Sequence, residues 1–167
     1  MEQDSEALLG RFFQHHVEFV IVGGLCGVLH GVTLVTEDVD VCCRFTPASL
    51  RRIEAAVKDL HPTHRLTANR LPLELTDELC TRLKNLYLST DLGTIDCLGE
   101  ILGVGDYEAA LSASMPIEMS FGCCRMLTVE ALIRAKEAVG RPRDRVAISQ
   151  LRAIQEHNDH HKPGSSN

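Results

Sequence analysis

The 167-residue chain has no tryptophan, and aromatic residues make up only 4% of it. Its apolar fraction of 44% still supplies a core of ordinary size, but that core has to be built from Leu, Val, Ile and Ala. None of the seven cysteines forms a C-x-x-C pair, and together with His157, His160 and His161 they match no zinc signature. The acidic N-terminus lacks the continuous apolar segment of a secretory signal. The longest apolar stretch, around Phe19 to Leu29, is broken by glycines and is too short to span a bilayer. Positive charge is also scarce. A net charge of -6 and a pI near 5.7 argue against a broad basic footprint for duplex nucleic acid. An anionic substrate then calls for a local basic groove or for bound cations.

These absences leave a cytoplasmic protein without a membrane segment, its cysteines reduced and acting as small buried hydrophobes. The length suits one domain over 1–156, followed by a polar tail over 157–167.

Along the chain, helical and strand patterns interleave. Asp4 or Ser5 caps a first helix that runs to about His15. Glu18 to Val22 suits a buried strand, which Gly23-Gly24 breaks before a short helix from Leu25 to His30, closed by Gly31. Asp38 to Cys43 alternates with the period of a half-buried strand. Pro47 opens a helix over Ala48 to Leu60. His61 to Leu75, with two prolines, reads as a loop holding short extended pieces. Asn85 to Ser89 and Thr94 to Leu98 form a hairpin around Asp91-Leu-Gly93. A short helix over Asp106 to Leu111 precedes strands at Ile117 to Phe121 and Cys124 to Leu127. Thr128 caps a helix over Val129 to Val139. Pro142 begins the last helix, with Val146, Ile148, Leu151 and Ile154 turned inward. Interleaved helices together with hairpins predict an α/β fold of the α+β type, a mixed β-sheet flanked by helices.

Asp38 and Asp40 leave the same face of their strand. Carboxylates held that close require a shared proton, a basic side chain or a divalent cation. Asp96 sits in the middle of a second apolar strand, where a lone buried carboxylate is costly. If the two strands are neighbours, three acids converge, and hard oxygen ligands of this kind suit Mg²⁺ or Mn²⁺. Gly23-Gly24, between strand and helix, lets a ligand approach the backbone and leaves helix N–H groups free for phosphate. It is neither a dinucleotide fingerprint nor a P-loop.

In this order the motifs resemble the nucleotidyltransferase superfamily related to DNA polymerase beta. A nearer likeness is to small stand-alone bacterial nucleotidyltransferases, including those related to abortive-infection toxins. It rests on Gly23-Gly-Leu-Cys-Gly-Val-Leu-His-Gly31, Thr36-Glu-Asp-Val-Asp40, Thr90-Asp-Leu-Gly-Thr-Ile-Asp-Cys-Leu98 and Leu132-Ile-Arg-Ala-Lys-Glu-Ala-Val-Gly-Arg-Pro-Arg-Asp144. The resemblance implies an Mg-dependent enzyme that moves an NMP from an NTP such as ATP to a hydroxyl of a protein, an RNA end or a small molecule. Asp38, Asp40 and Asp96 would be its catalytic and metal-binding acids. Gly23, Gly24, Thr36, Lys136, Arg141, Asp144 and Arg145 would bind the nucleotide. His30 reads as a hydrogen-bonded core histidine. Leu34 departs from the pattern, since relatives commonly carry an arginine there, and Cys26 replaces a small alanine. The Leu34 departure motivates a second expectation, a catalytically degenerate module of the same fold serving an antitoxin-like partner.

Overall fold

The computed structural model describes residues 2–162. Seven strands form one mixed sheet. They are β1 (Phe19–Val22), β2 (Asp38–Cys43), β3 (Thr63–His64), β4 (Asn85–Thr90), β5 (Gly93–Leu98), β8 (Ser114–Met119) and β9 (Gly122–Leu127), in the order β3-β4-β5-β2-β1-β9-β8. β6 (Glu100–Ile101) and β7 (Gly105–Asp106) make a separate two-stranded ribbon. The helices are α1 (Ser5–Gln14), α2 (Gly23–His30), α3 (Pro47–Val57), α4 (Asp77–Arg82), α5 (Tyr107–Ser112), α6 (Val129–Val139) and α7 (Arg145–His160). The mixed α/β sheet flanked by helices is therefore the architecture that the patterning predicts.

The apolar β1 lies fully buried inside the sheet next to the central β2, antiparallel to β2 and parallel to β9. β2 in turn runs parallel to β5, which the β4–β5 hairpin extends outward. α2, α6 and α7 pack against one another, while α1 packs on α3 and α3 on α4. The core is mostly aliphatic, with Leu8, Leu9, Ile21, Leu50, Ile53, Leu86, Leu88, Ile95 and Leu132 fully enclosed, together with Phe12 and the buried Phe19 and Tyr107. Six of the seven cysteines are buried and only Cys123 is exposed, none of them in a disulfide. Among the described residues no helix is long and apolar enough to cross a membrane.

Several elements differ from the sequence expectation. Gly23-Gly24 ends β1 as expected, but it also supplies the first two residues of α2, which was expected to start at Leu25. Thr76 caps the short helix α4, its side chain accepting from the Leu79 N–H, in a stretch to which no element was assigned. Pro142 opens a 3-10 turn over Pro142–Asp144, and α7 starts only at Arg145. That tighter turn shifts the phase of the helix. Ala147 and Leu151 are buried and Ile154 packs on the core, while Val146, expected inward, is 55% exposed. α7 also continues through His157 to His160, into the segment read as a polar tail. Residues 163–167 of that segment lie outside the described residues.

The α7 phase is testable by urea denaturation. Leu151→Ala should cost about 2–5 kcal/mol, the range for a buried leucine. Val146→Ser should stay within about 0.5 kcal/mol of the parent. Equal losses at both positions would contradict the shifted phase.

Candidate functional site

The site is a row across the sheet. Pairing in register places Val22 beside Asp40, Asp40 beside Asp96 and Asp96 beside Tyr87. The Arg65 N–H donates to the Tyr87 carbonyl at 2.9 Å, so the row continues past the end of β3. Residues paired across strands point to the same face. One face therefore carries Asp40 and Asp96 side by side, with Asp38 two residues back on the same strand.

This crowding is unfavourable, and its effects are visible. Burial, the neighbouring Asp96 and Asp38, and hydrogen bonding to Asp96 push the Asp40 carboxyl up to about 6, against a smaller lowering by Arg65. Burial also raises the Asp96 carboxyl, although Arg65 opposes it. The Arg65 guanidinium donates through Nη2 to both Asp96 oxygens, at 2.6 and 2.5 Å, and lies 5.7 Å over the Tyr87 ring. Its Nε–H is buried with no partner, an omission that costs about 1–3 kcal/mol for an ordinary buried donor. Asp38 accepts from the Thr94 hydroxyl. The Thr36 hydroxyl donates to the Asp38 carbonyl at 3.2 Å.

The glycine turn is shaped by the same acids. Gly23 has φ +65, and a Cβ there would collide with the Asp40 carboxylate. A Cβ on Gly24 would stand 2.7 Å from the Thr36 hydroxyl oxygen. Val22, the residue before α2, provides no side-chain cap. The first N–H groups of α2 are thus left without a capping side chain, next to Asp40.

Facing the acids from α6 and the following turn is an ion triad. Asp144 accepts from Lys136 Nζ at 3.2 Å and from Arg141 Nε at 2.9 Å. Burial works against ionised Asp144, but the two cations outweigh it and hold its carboxyl below the ordinary range. Lys136 is only 9% exposed, so this ion pair is largely withdrawn from water.

Gly23, Gly24, Thr36, Asp38, Asp40, Asp96, Lys136, Arg141 and Asp144 all line one cleft of about 660 Å³. Arg145 does not join them. The 3-10 turn carries Arg143 into the lining instead, and Arg145 is exposed at the start of α7. Leu34 lines the cleft at its exposed edge. His30 is not a site residue, since its Nε2 bonds the Leu127 carbonyl at 2.7 Å. Among the described residues no group of three or more His, Cys, Asp or Glu side chains is gathered closely enough to hold a metal ion. This holds for the expected acid set, in which Thr94 engages Asp38 and Arg65 engages Asp96, and for the C-terminal histidines. Arg65, Thr94 and Arg143 were missed by sequence reasoning. The only signal for Arg65 was the requirement that crowded carboxylates find a cation.

No family model matches the chain, and no curated protein is significantly similar to it. Solved structures do resemble it. The lincosamide antibiotic adenylyltransferase LnuA, in its lincomycin-bound structure, has a TM-score of 0.61 at 14% identity, over 92% of this chain and 99% of its own. A candidate nucleotidyltransferase from Thermotoga maritima has a TM-score of 0.54 at 15% identity, over 92% and 89% of the two chains. ANT(2")-Ia in complex with adenylyl-2"-tobramycin has a TM-score of 0.51 at 17% identity, over 92% and 94%. The chain has the nucleotidyltransferase fold.

The crowding at Asp40 predicts a pH dependence. A carboxyl raised from 3.8 to about 6 binds its proton more tightly in the folded chain than in the unfolded one. Its ionisation therefore opposes folding. The penalty is absent below about pH 4, grows between about pH 4 and 6, and is constant above, reaching about 3 kcal/mol. Asp40→Asn removes it. In chelator, denaturation midpoints of variant and parent should agree near pH 4 and diverge in favour of the variant by pH 7. A difference that does not change with pH would contradict the crowding.

Proposed function

We propose that the chain transfers a nucleoside monophosphate from a nucleoside triphosphate to a hydroxyl group of a small molecule. The observation that carries this reading is the position of the opposed Asp40 and Asp96 at the junction of two clefts of different character. The larger one holds the basic side chains and the start of α2. The second, of about 290 Å³, shares Gly23, Asp40, Asp96, Lys136 and Arg141 with it at their common edge and is otherwise walled mainly by apolar side chains, Leu98, Ile101, Leu132 and Val139 among them. In-line displacement brings the nucleophile and takes the leaving group on opposite sides of the phosphorus. The triphosphate then belongs in the basic cleft and the acceptor in the apolar one. A cavity near the lower end of the ligand-site range of about 300–1,000 Å³ suits a small molecule. Two fold neighbours point the same way. LnuA is a lincosamide antibiotic adenylyltransferase, and ANT(2")-Ia is seen with adenylylated tobramycin.

The larger cleft is lined by five acids, Glu37, Asp38, Asp40, Asp96 and Asp144, and four bases, Arg65, Lys136, Arg141 and Arg143. It offers no surplus positive charge to a triphosphate. That balance and the hard oxygen donors suit a divalent cation such as Mg²⁺ or Mn²⁺, which Asp38, Asp40 and Asp96 would hold once drawn closer than in the free chain, where Thr94 engages Asp38 and Arg65 engages Asp96. When bound, such a cation neutralises phosphate charge and polarises the phosphorus centre. The Gly23 and Gly24 N–H groups donate to phosphate oxygens. Lys136 and Arg141, fixed by Asp144, add positive charge near the leaving pyrophosphate. Asp96 accepts the proton of the acceptor hydroxyl as its oxygen bonds to the α-phosphorus and the bond to pyrophosphate breaks.

A non-catalytic module of the same fold is the second reading. It is favoured by the Arg65–Asp96 pair, which occupies the carboxylate that a base would use.

Incubation with α-labelled ATP, Mg²⁺ or Mn²⁺ and hydroxyl-bearing small molecules, beginning with lincomycin and tobramycin, tests both. Labelled product and pyrophosphate are expected, lost in chelator and lowered by Asp38→Asn or Asp40→Asn about a hundredfold or more, equivalent to about 3 kcal/mol of transition-state stabilisation. Nucleotide binding without turnover across the panel favours the module. Absence of both nucleotide binding and metal-dependent thermal stabilisation would sink the enzyme reading.

A further inference from the structure

Arg65 is a charged side chain of the larger cleft whose bonding is incomplete. A guanidinium that serves only as counter-ion to a carboxylate typically meets it with two nitrogens on two oxygens. Here Nη2 alone spans both oxygens of Asp96. The Nε–H is left over, and among the described residues it is the single buried side-chain polar atom without a partner. The backbone of Arg65 is pinned by its bond to Tyr87, so only the side chain is free to swing. That side chain is 26% exposed and shares the cleft with Gly23, Gly24 and Lys136.

We infer that Arg65 is a phosphate-binding residue stored on Asp96. In the free protein its guanidinium neutralises that carboxylate. When a nucleoside triphosphate enters, the guanidinium passes to phosphate oxygens, and the Nε–H gains the acceptor it lacks. A planar guanidinium matches the spacing of phosphate oxygens as well as that of a carboxylate. The inference rests on the nucleotidyl-transfer reading and adds an order of events, in which Asp96 is released only after the phosphates arrive. The exchange swaps one ion pair for another and moves no proton. It makes Arg65 a competitor of divalent cations for Asp96 and a helper of phosphate.

Inorganic tripolyphosphate and Mn²⁺, titrated separately into the full chain, distinguish these effects. Arg65→Gln should bind tripolyphosphate at least about tenfold more weakly, the loss of one charge-assisted bond or more. The same variant should bind Mn²⁺ alone more tightly than the parent. Arg65→Lys keeps the charge but not the fork, so its tripolyphosphate affinity should fall between the two. In the parent, the Arg65 Nε–H resonance, assigned by its absence from Arg65→Gln or by through-bond correlation if that variant does not fold, should move downfield on adding tripolyphosphate. Unchanged tripolyphosphate affinity in Arg65→Gln, or an Nε–H resonance that stays put while other site signals shift, would make Arg65 a structural counter-ion and overturn the inference with nucleotide binding intact. A parent that binds neither tripolyphosphate nor ATP with Mn²⁺ would remove the nucleotidyl-transfer reading itself, and this inference with it.

Discussion

Two carboxylates directly opposed across neighbouring parallel strands cannot relax apart, because the ladder that sets their register also holds the centre of the sheet. β2 and β5 pair over five consecutive positions, with Asp40 and Asp96 in the middle of them. Each further feature of the site answers that repulsion. Asp40 keeps its proton more tightly than an ordinary carboxyl. Arg65 lies on Asp96 and the Thr94 hydroxyl on Asp38. Gly23 leaves free the space that the Asp40 side chain fills. These responses come from four separate parts of the chain, which is why no single short segment contains the site.

The basic side is organised on the opposite principle. Lys136 and Arg141 are five residues apart in sequence, on either side of the left-handed Gly140 that closes α6. Asp144 sits in the next turn and accepts from both. One acid shared between two bases leaves a net positive unit with little freedom to move. The cleft therefore sets an incompletely bonded cation, Arg65, against a pair that shares one carboxylate. A ligand with several anionic oxygens can exploit both: the fixed pair gives it position, and Arg65 gives it an exchange that alters Asp96.

Much of this was legible in the sequence where a local rule decided the outcome. Alternation marked β2, an apolar run marked β1, and Thr128 marked the start of α6 correctly. The convergence of Asp38, Asp40 and Asp96 on one cleft followed from strand periodicity once the two strands were taken as neighbours. What local rules did not carry was lost. α4 has a capping residue and acidic first turn but only two apolar positions, Leu79 and Cys80, too few for a periodic pattern. The phase of α7 turned on three residues of 3-10 geometry, which no apolar spacing reports. Arg65 was invisible because β3 is a two-residue strand, created by its pairing with β4 rather than by its own composition.

The Leu34 departure changes its meaning in this light. The resemblance leads to an arginine at that position, and its absence suggested a site short of positive charge. Leu34 does line the cleft, exposed at its edge. The acids are nevertheless met by a guanidinium that arrives from β3, across Tyr87. A cation can enter this cleft from the loop before β2 or from the far side of β5, and electrostatics alone does not distinguish the two routes. The sheet order does. A cation in the loop before β2 is carried on a segment that no sheet ladder pairs. One that extends from β3 is held by the ladder at its backbone and can respond only by turning its side chain. Placing the charge at Arg65 thus ties neutralisation of Asp96 to a single rotatable group, so that what a ligand does to that group decides whether Asp96 is free to act.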